Sequence, residues 1–108
     1  LLNHTSEQAS CTCIDDRNRP STIPERKWLK KDQEYHIIFA QFLLPQKQLG
    51  VQLQEIDLDE TCAPFEYFLA NRFGIKQSDL EALIELVYES TQVKTSLKEL
   101  MEQIQVIQ

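Results

Sequence analysis

Only two glycines and four prolines occur in 108 residues. That scarcity excludes a collagen-like repeat and a low-complexity linker. Long apolar runs are absent too: the longest, Ile37 to Ala40, resumes after Gln41 as Phe42 to Leu44. A spanning helix needs about 20 apolar residues in a row, so no transmembrane segment is expected. Positive charge is in deficit, with 11 Lys and Arg against 17 Asp and Glu, a net charge of −6. Proteins that hold nucleic acid neutralise phosphates with clustered cations, so this balance weighs against that class. The basic residues do gather from Arg17 to Lys31, but Asp15, Asp16 and Glu25 accompany them, giving a segment of mixed charge. An acidic surface suits a basic protein partner, and it serves solubility equally well.

Cysteine is present in an odd number: Cys11, Cys13 and Cys62. A secreted disulfide framework favours an even count. Alternate residues of a strand stand about 6.6–7 Å apart, too far for an unstrained Cys11–Cys13 bridge. No basic stretch followed by an apolar one opens the chain, so reduced thiols in the cytoplasm are expected.

What is present divides the chain by period. Residues 1 to 10 are polar after Leu2 and read as a flexible arm. Cys11 to Ile14 favour a short strand, broken by the turn residues Asp15 to Asn18. Pro20 and Pro24 keep Arg19 and Ile23 out of helix, so residues 17 to 27 read as an extended loop anchored by Ile23 and Trp28. Residues 34 to 44 give the strongest strand signal, with Tyr35, Ile37 and Phe39 on one face and His36, Ile38, Ala40 and Phe42 on the other. Two apolar faces predict a central strand. Residues 45 to 50 read as the connection, and Val51 and Leu53 point inward from the next strand. A phase change then brings in Ile56 and Leu58, the mark of a bulge or a new segment. Residues 59 to 64 read as a loop, followed by a further strand within 67 to 73 that closes at Gly74.

The period becomes helical after Gly74. Ser78 and Glu81 fit a capping box. Leu80, Leu83, Ile84, Val87 and Tyr88 form one stripe, opposite Glu81, Glu85 and Glu89. A second stripe, Val93, Leu97, Leu100, Ile104 and Ile107, is out of phase with the first, which predicts two helices, or one helix with a break near Ser90 to Gln92.

Ile23-Pro24, Tyr35, Leu53-Gln54-Glu55-Ile56 and Arg72-Phe73 carry a resemblance over residues 11 to 75. In these places the chain resembles small uncharacterised proteins of bacteriophages, prophages and mobile elements. The resemblance implies a small SH3-like barrel. It implies no activity and transfers no catalytic residue, and residues 77 to 108 lie outside it.

Four groups of residues bear on chemistry. Cys11, Cys13 and Cys62 with His4 or His36 supply soft ligands of the kind zinc takes. Zinc knuckles separate paired cysteines by two to four residues, whereas Cys-x-Cys leaves one, so buried small hydrophobes are the better reading. A nucleophilic thiol needs an electropositive setting, yet Asp15, Asp16, Asp59 and Glu60 flank these cysteines. Glu55, Asp57, Asp59 and Glu60 lack the framing glycine and terminal glutamate of a calcium loop, and read as a solvated edge. Trp28, Tyr67 and Arg72 form a candidate groove. Core aromatics and a local ion pair of Arg72 with Glu55 or Asp57 are the alternative.

The second stripe has the 4-3-4-3 spacing of a heptad seam. Leu97, Leu100, Met101, Ile104 and Ile107 are therefore the candidate partner-binding residues, and a homodimer through residues 93 to 107 is expected. The reading that joins these points is α+β: one domain with an arm over 1–10, a bent antiparallel sheet of SH3-like type over 11–75, and a helical region over 78–107. The expected core contains Trp28, Ile37, Phe39, Val51, Leu53 and Phe73. The expected function is a non-enzymatic protein-interaction module with no cofactor, no metal, no nucleic acid and no membrane. Its rivals are an acidic mimic of nucleic acid and a small thiol- or zinc-dependent protein using Cys11, Cys13 and Cys62.

Overall fold

Tyr35, Ile37, Ile38, Phe39 and Phe42 are β-branched or aromatic, the kinds of residue that fit a pleated, half-buried surface. They fill β2 (Glu34–Leu43), the longest strand of the sheet. The computed structural model describes residues 8–43, 47–90 and 97–107. The other strands are β1 (Ala9–Cys13), β3 (Gln48–Leu53), β4 (Phe68–Leu69), β5 (Phe73–Lys76) and β6 (Gln105–Ile107). They form one sheet in the order β4-β3-β2-β1-β5-β6. Every pairing is antiparallel except that of β5 with β6. The strand expected at 11 to 14 thus begins earlier, because Ala9 and Ser10 pair with Ile37 and His36 instead of belonging to an arm. Residues 1 to 7 of that arm, and the predicted end of β2 at Leu44 with Pro45 and Gln46, lie outside the described residues.

β4 and β5 are joined by a single 3-10 turn, Ala70–Arg72. In a flat sheet of this order they would stand about 19 Å apart, four strand spacings. A three-residue 3-10 turn rises only about 6 Å. The sheet must therefore curl until its two sides approach each other. β4 pairs with β3 and β5 with β1 and β6, so the curl stops short of a closed barrel. The α+β class and the bent, mostly antiparallel sheet match the expectation, and the sheet is open.

The register of β2 against β3 slips between Ile37 and Phe39: Ile37 faces Leu53 and Phe39 faces Gln52. One extra residue, Ile38, is pushed outward and stays 42% exposed. A bulge reverses the inside and outside of the strand beyond it. Tyr35, Ile37 and Ala40 are buried as a result, and Phe39 is only half-buried. This corrects the assignment of Phe39 to the core. Its ring instead stacks on Tyr67 at 6.3 Å. Trp28, Ile37, Val51, Leu53 and Phe73 are buried as expected, and Ile23 anchors the 17–27 loop.

Both glycines lie inside strands, not at their ends as the punctuation of the sequence suggested. A Cβ on Gly74 would stand 2.8 Å from Cγ2 of Ile107, so glycine lets β6 settle closely against β5. Left-handed backbone is taken instead by Asn18, Asp32 and Lys47, two of them residue types that tolerate it.

Helix α1 (Gln77–Ser90) follows β5 without a loop. Ser78 is therefore inside the helix, not its N-cap. Asp79 in the first turn accepts a hydrogen bond from the Ser10 backbone N–H at 3.3 Å. Leu80, Leu83, Leu86 and Val87 are buried against the sheet, while Glu81, Glu85 and Glu89 face solvent. Tyr88, placed on the apolar stripe by its spacing, is 51% exposed. The helix runs as far as Ser90, and Thr91 and Gln92 of the expected break lie outside the described residues.

The C-terminal region departs furthest from its reading. Helix α2 (Leu97–Glu102) stops at Glu102, short of Ile107, and the chain then extends into β6. The β-branched Ile104, Val106 and Ile107 fit a strand better than a third helical turn. Leu100 and Ile104 are buried in the core of the same chain, and Met101 packs against it half-buried. They form no exposed seam, so the long partner helix over 93 to 107 is replaced by intramolecular packing. Val93 and the side chain of Leu97 lie outside the described residues.

Candidate functional site

The structure brings Trp28 and Arg72 together and leaves Tyr67 apart. Arg72 ends the turn between β4 and β5, and its guanidinium carbon sits 5.0 Å from the centroid of the Trp28 ring. Its Nη1 donates to the backbone oxygens of Asp15 (3.1 Å) and Arg17 (2.8 Å). Its own carbonyl accepts from the Ile14 and Asp15 N–H groups at 2.8 and 3.3 Å. Trp28 Nε1 donates to the Asp16 carbonyl at 2.6 Å. The carboxylate beside Arg72 is Asp15, at 3.6 Å, not Glu55 or Asp57. Hydrogen bonds from Arg17 hold that carboxyl well below the usual carboxylate range. Arg72 and Trp28 thus act as a strut for the 14–17 loop, with the guanidinium engaged by main chain. Tyr67 donates to Oε1 of Gln41 at 2.8 Å and stacks on Phe39. The residue after it, Phe68, turns inward against Trp28 and Phe73, with ring centroids at 5.8 and 6.5 Å.

Phe68 also lines a cleft. Its volume is about 250 Å³. Leu53 and Phe68, both buried, contribute to its lining, together with half-buried Ile56 and Leu58 and the bulged Ile38. Gln52, Gln54, Asp57 and Glu66 supply the polar part. Ile38 is available because the bulge turns it outward. Ile56 and Leu58 are available because the chain leaves β3 after Leu53 and crosses beside it. The phase change after Glu55 was the signal for these two, but nothing in the sequence marks Ile38 as the residue left over in the ladder.

The carboxylates around this cleft divide into engaged and unengaged. Glu55 accepts from His36, at 2.9 Å from its N–H and 2.5 Å from Nδ1. Burial pushes the Glu55 carboxyl up, and the hydrogen bonds of His36 outweigh it and hold the group below its usual value. The same bond raises His36. Asp59 meets Lys27 Nζ at 2.6 Å and accepts from the Thr61 N–H at 3.0 Å. The Lys27 hydrogen bond lowers its carboxyl to about 2. Asp57 and Glu66 make no ion pair among the described residues.

Cys11, Cys13 and Cys62 are free and buried. Burial pushes the Cys11 thiol up to about 12, and its Sγ points at the Tyr35 carbonyl, 3.5 Å away. Burial raises Cys13 as well. Among the described residues no three His, Cys, Asp or Glu side chains converge as metal ligands. His4, the other histidine considered for zinc, lies outside them. No described helix is long and apolar enough to cross a membrane. Comparison of the chain with protein-family models, with curated proteins and with solved structures finds no match.

Proposed function

We propose that this chain is a non-enzymatic protein-interaction module that receives an extended segment of a partner in the cleft beside Phe68. The observation that carries this reading is the cleft itself: a large apolar side chain, Ile38, held 42% exposed mid-strand beside a floor of Leu53 and Phe68. Binding sites join apolar contacts to polar groups that set orientation, and this cleft presents both, with an exposed lining more polar than apolar. The thiols speak against nucleophilic chemistry. A Cys11 thiol titrating near 12 is protonated at neutral pH, and the thiolate is the nucleophile. The order β4-β3-β2-β1-β5 with a 3-10 turn between β4 and β5 supports an SH3-like arrangement with an open seam. That arrangement agrees with a kinship to small mobile-element proteins.

The test is selection of binders from a random peptide library against the intact chain, followed by mapping of the enriched peptides by amide chemical shift. Shifts are expected to gather on Ile38, Gln52, Leu53 and Phe68. Ile38→Thr keeps a β-branched residue in the strand and trims apolar surface, so it should weaken binding about tenfold. Peptides that bind with shifts confined to another face, or binding indifferent to Ile38→Thr, would overturn the reading.

A further inference from the structure

We propose that the occupant of this cleft is an extended partner segment in which Lys or Arg flanks a large apolar side chain, an inference that rests on the cleft being a docking site. Two properties of the same few residues lead to it. The lining of Ile38, Leu53, Ile56, Leu58 and Phe68 asks for an apolar side chain. Asp57 and Glu66 sit in the same lining and have no ion pair among the described residues.

The segment that forms the cleft has no cation of its own, and Asp57 feels Lys27 through its field without an ion pair. From Gln48 to Asn71 there are five carboxylates, Glu55, Asp57, Asp59, Glu60 and Glu66, and neither Lys nor Arg. The cation that reaches this segment from elsewhere, Lys27, is held by Asp59 at 2.6 Å. His36 is likewise held by Glu55. A partner that covers the cleft removes part of the water around Asp57 and Glu66, both exposed at its rim. An uncharged apolar partner leaves them partly desolvated and unpaired, which is costly. An acidic one meets repulsion. A segment with cations beside its apolar anchor supplies both requirements, and the unbalanced acidic field speeds its encounter.

Three synthetic peptides of one Leu/Val pattern, with Lys and Arg, Gln, or Glu at the alternating positions, separate the parts of this proposal. Each is titrated into the isotopically labelled intact chain at low and at high salt. The basic peptide should shift Ile38, Leu53 and Phe68 and bind about tenfold more tightly than the Gln peptide at about 50 mM salt. Most of that advantage should vanish at about 300 mM salt, where charges at the exposed rim are screened. Asp57→Asn with Glu66→Gln should bring the basic and Gln peptides level; both sites are exposed, so the fold is expected to survive. Equal binding of the basic and Gln peptides at the cleft would overturn the basic partner and leave the docking site standing. Absence of shifts at the cleft with all three would overturn the docking site as well. Concentration-dependent shifts at Ile38 and Phe68 without peptide would assign the cleft to a second copy of the chain, against the proposal.

Discussion

Leu100→Ala separates a helix that belongs to the core from one that waits for a partner. Leu100 is 0% exposed within its own chain. The substitution removes the branch beyond Cβ, and transfer of those carbons at about 0.8 kcal/mol each accounts for about 2.4 kcal/mol. The cavity left behind adds to this, so about 3 to 4 kcal/mol is expected, within the range for buried leucines. A domain of this size has about 5 to 15 kcal/mol in total. With a urea slope of about 1.5 kcal/mol/M, the midpoint should fall by about 2 M. The melting temperature should fall by at least about 12 °C. Met101→Ala, beside it but half-buried, should lose about 1 kcal/mol. Glu102→Ala, exposed, should stay within about 0.5 kcal/mol of the parent. Urea titrations followed by tryptophan fluorescence, at two protein concentrations, suffice for the set. A Leu100→Ala protein with the parent midpoint at low concentration, and weaker self-association at high concentration, would place Leu100 in an intermolecular seam and refute the packing argument.

Two further outcomes follow from the titrating groups. His36 is raised above its usual 6.5 by Glu55, so its contribution is complete below that pH and is lost as pH rises through its folded value. Glu55 is lowered below 4.5 despite its burial, so its contribution is complete above that pH and is lost as pH falls through its folded value. The stability gap between the parent and His36→Gln should therefore be widest between pH 4.5 and 6.5 and narrow as pH rises above 6.5 through the folded value of His36. Both side chains are about a third exposed, which keeps the gap small; a gap unchanged from about pH 5.5 to 8.5 would remove the assigned linkage. The thiols give the other outcome. Alkylation followed by mass spectrometry should leave the folded protein unlabelled near pH 8 and modify Cys11, Cys13 and Cys62 in denaturant, and rapid labelling of the folded chain would contradict their burial.

Local pattern was enough for elements whose residues satisfy themselves nearby. The β-branched and aromatic run from Tyr35 to Phe42 and the leucine stripe of α1 announce their structure, because period and propensity agree there. Phe39 was misplaced because the bulge at Ile38 arises from pairing with β3, a property of two strands that neither displays alone. The 4-3-4-3 stripe misled for a related reason. Its last residues, Ile104 to Ile107, suit both a helix face and a strand, and the open side of β5 decided between them. Trp28 and Arg72 were recognised as neighbours of consequence, but the partner of Arg72 turned out to be the 14–17 loop. Asp15 and Arg72 are far apart in sequence and meet only when β5 pairs with β1. The cleft was legible in half: Ile56 and Leu58 through their change of phase, Ile38 not at all.

The close seating of β6 on Gly74 has a consequence for the order in which the molecule is made. Residues 73 to 75 of β5 are buried and carry no polar side chain, and the side of β5 away from β1 would be an unguarded row of N–H and C=O groups without β6. Such a row templates the addition of strands from other chains. Synthesis proceeds from the N-terminus, so β1 to β5 and α1 leave the ribosome while residues 105 to 107 are still to come. A chain folded only as far as α1 would leave that side of β5 bare. Val106 and Ile107 cover it as part of β6, which opens at Gln105. They cover the side of β5 that the preceding elements leave bare, and they are made after those elements.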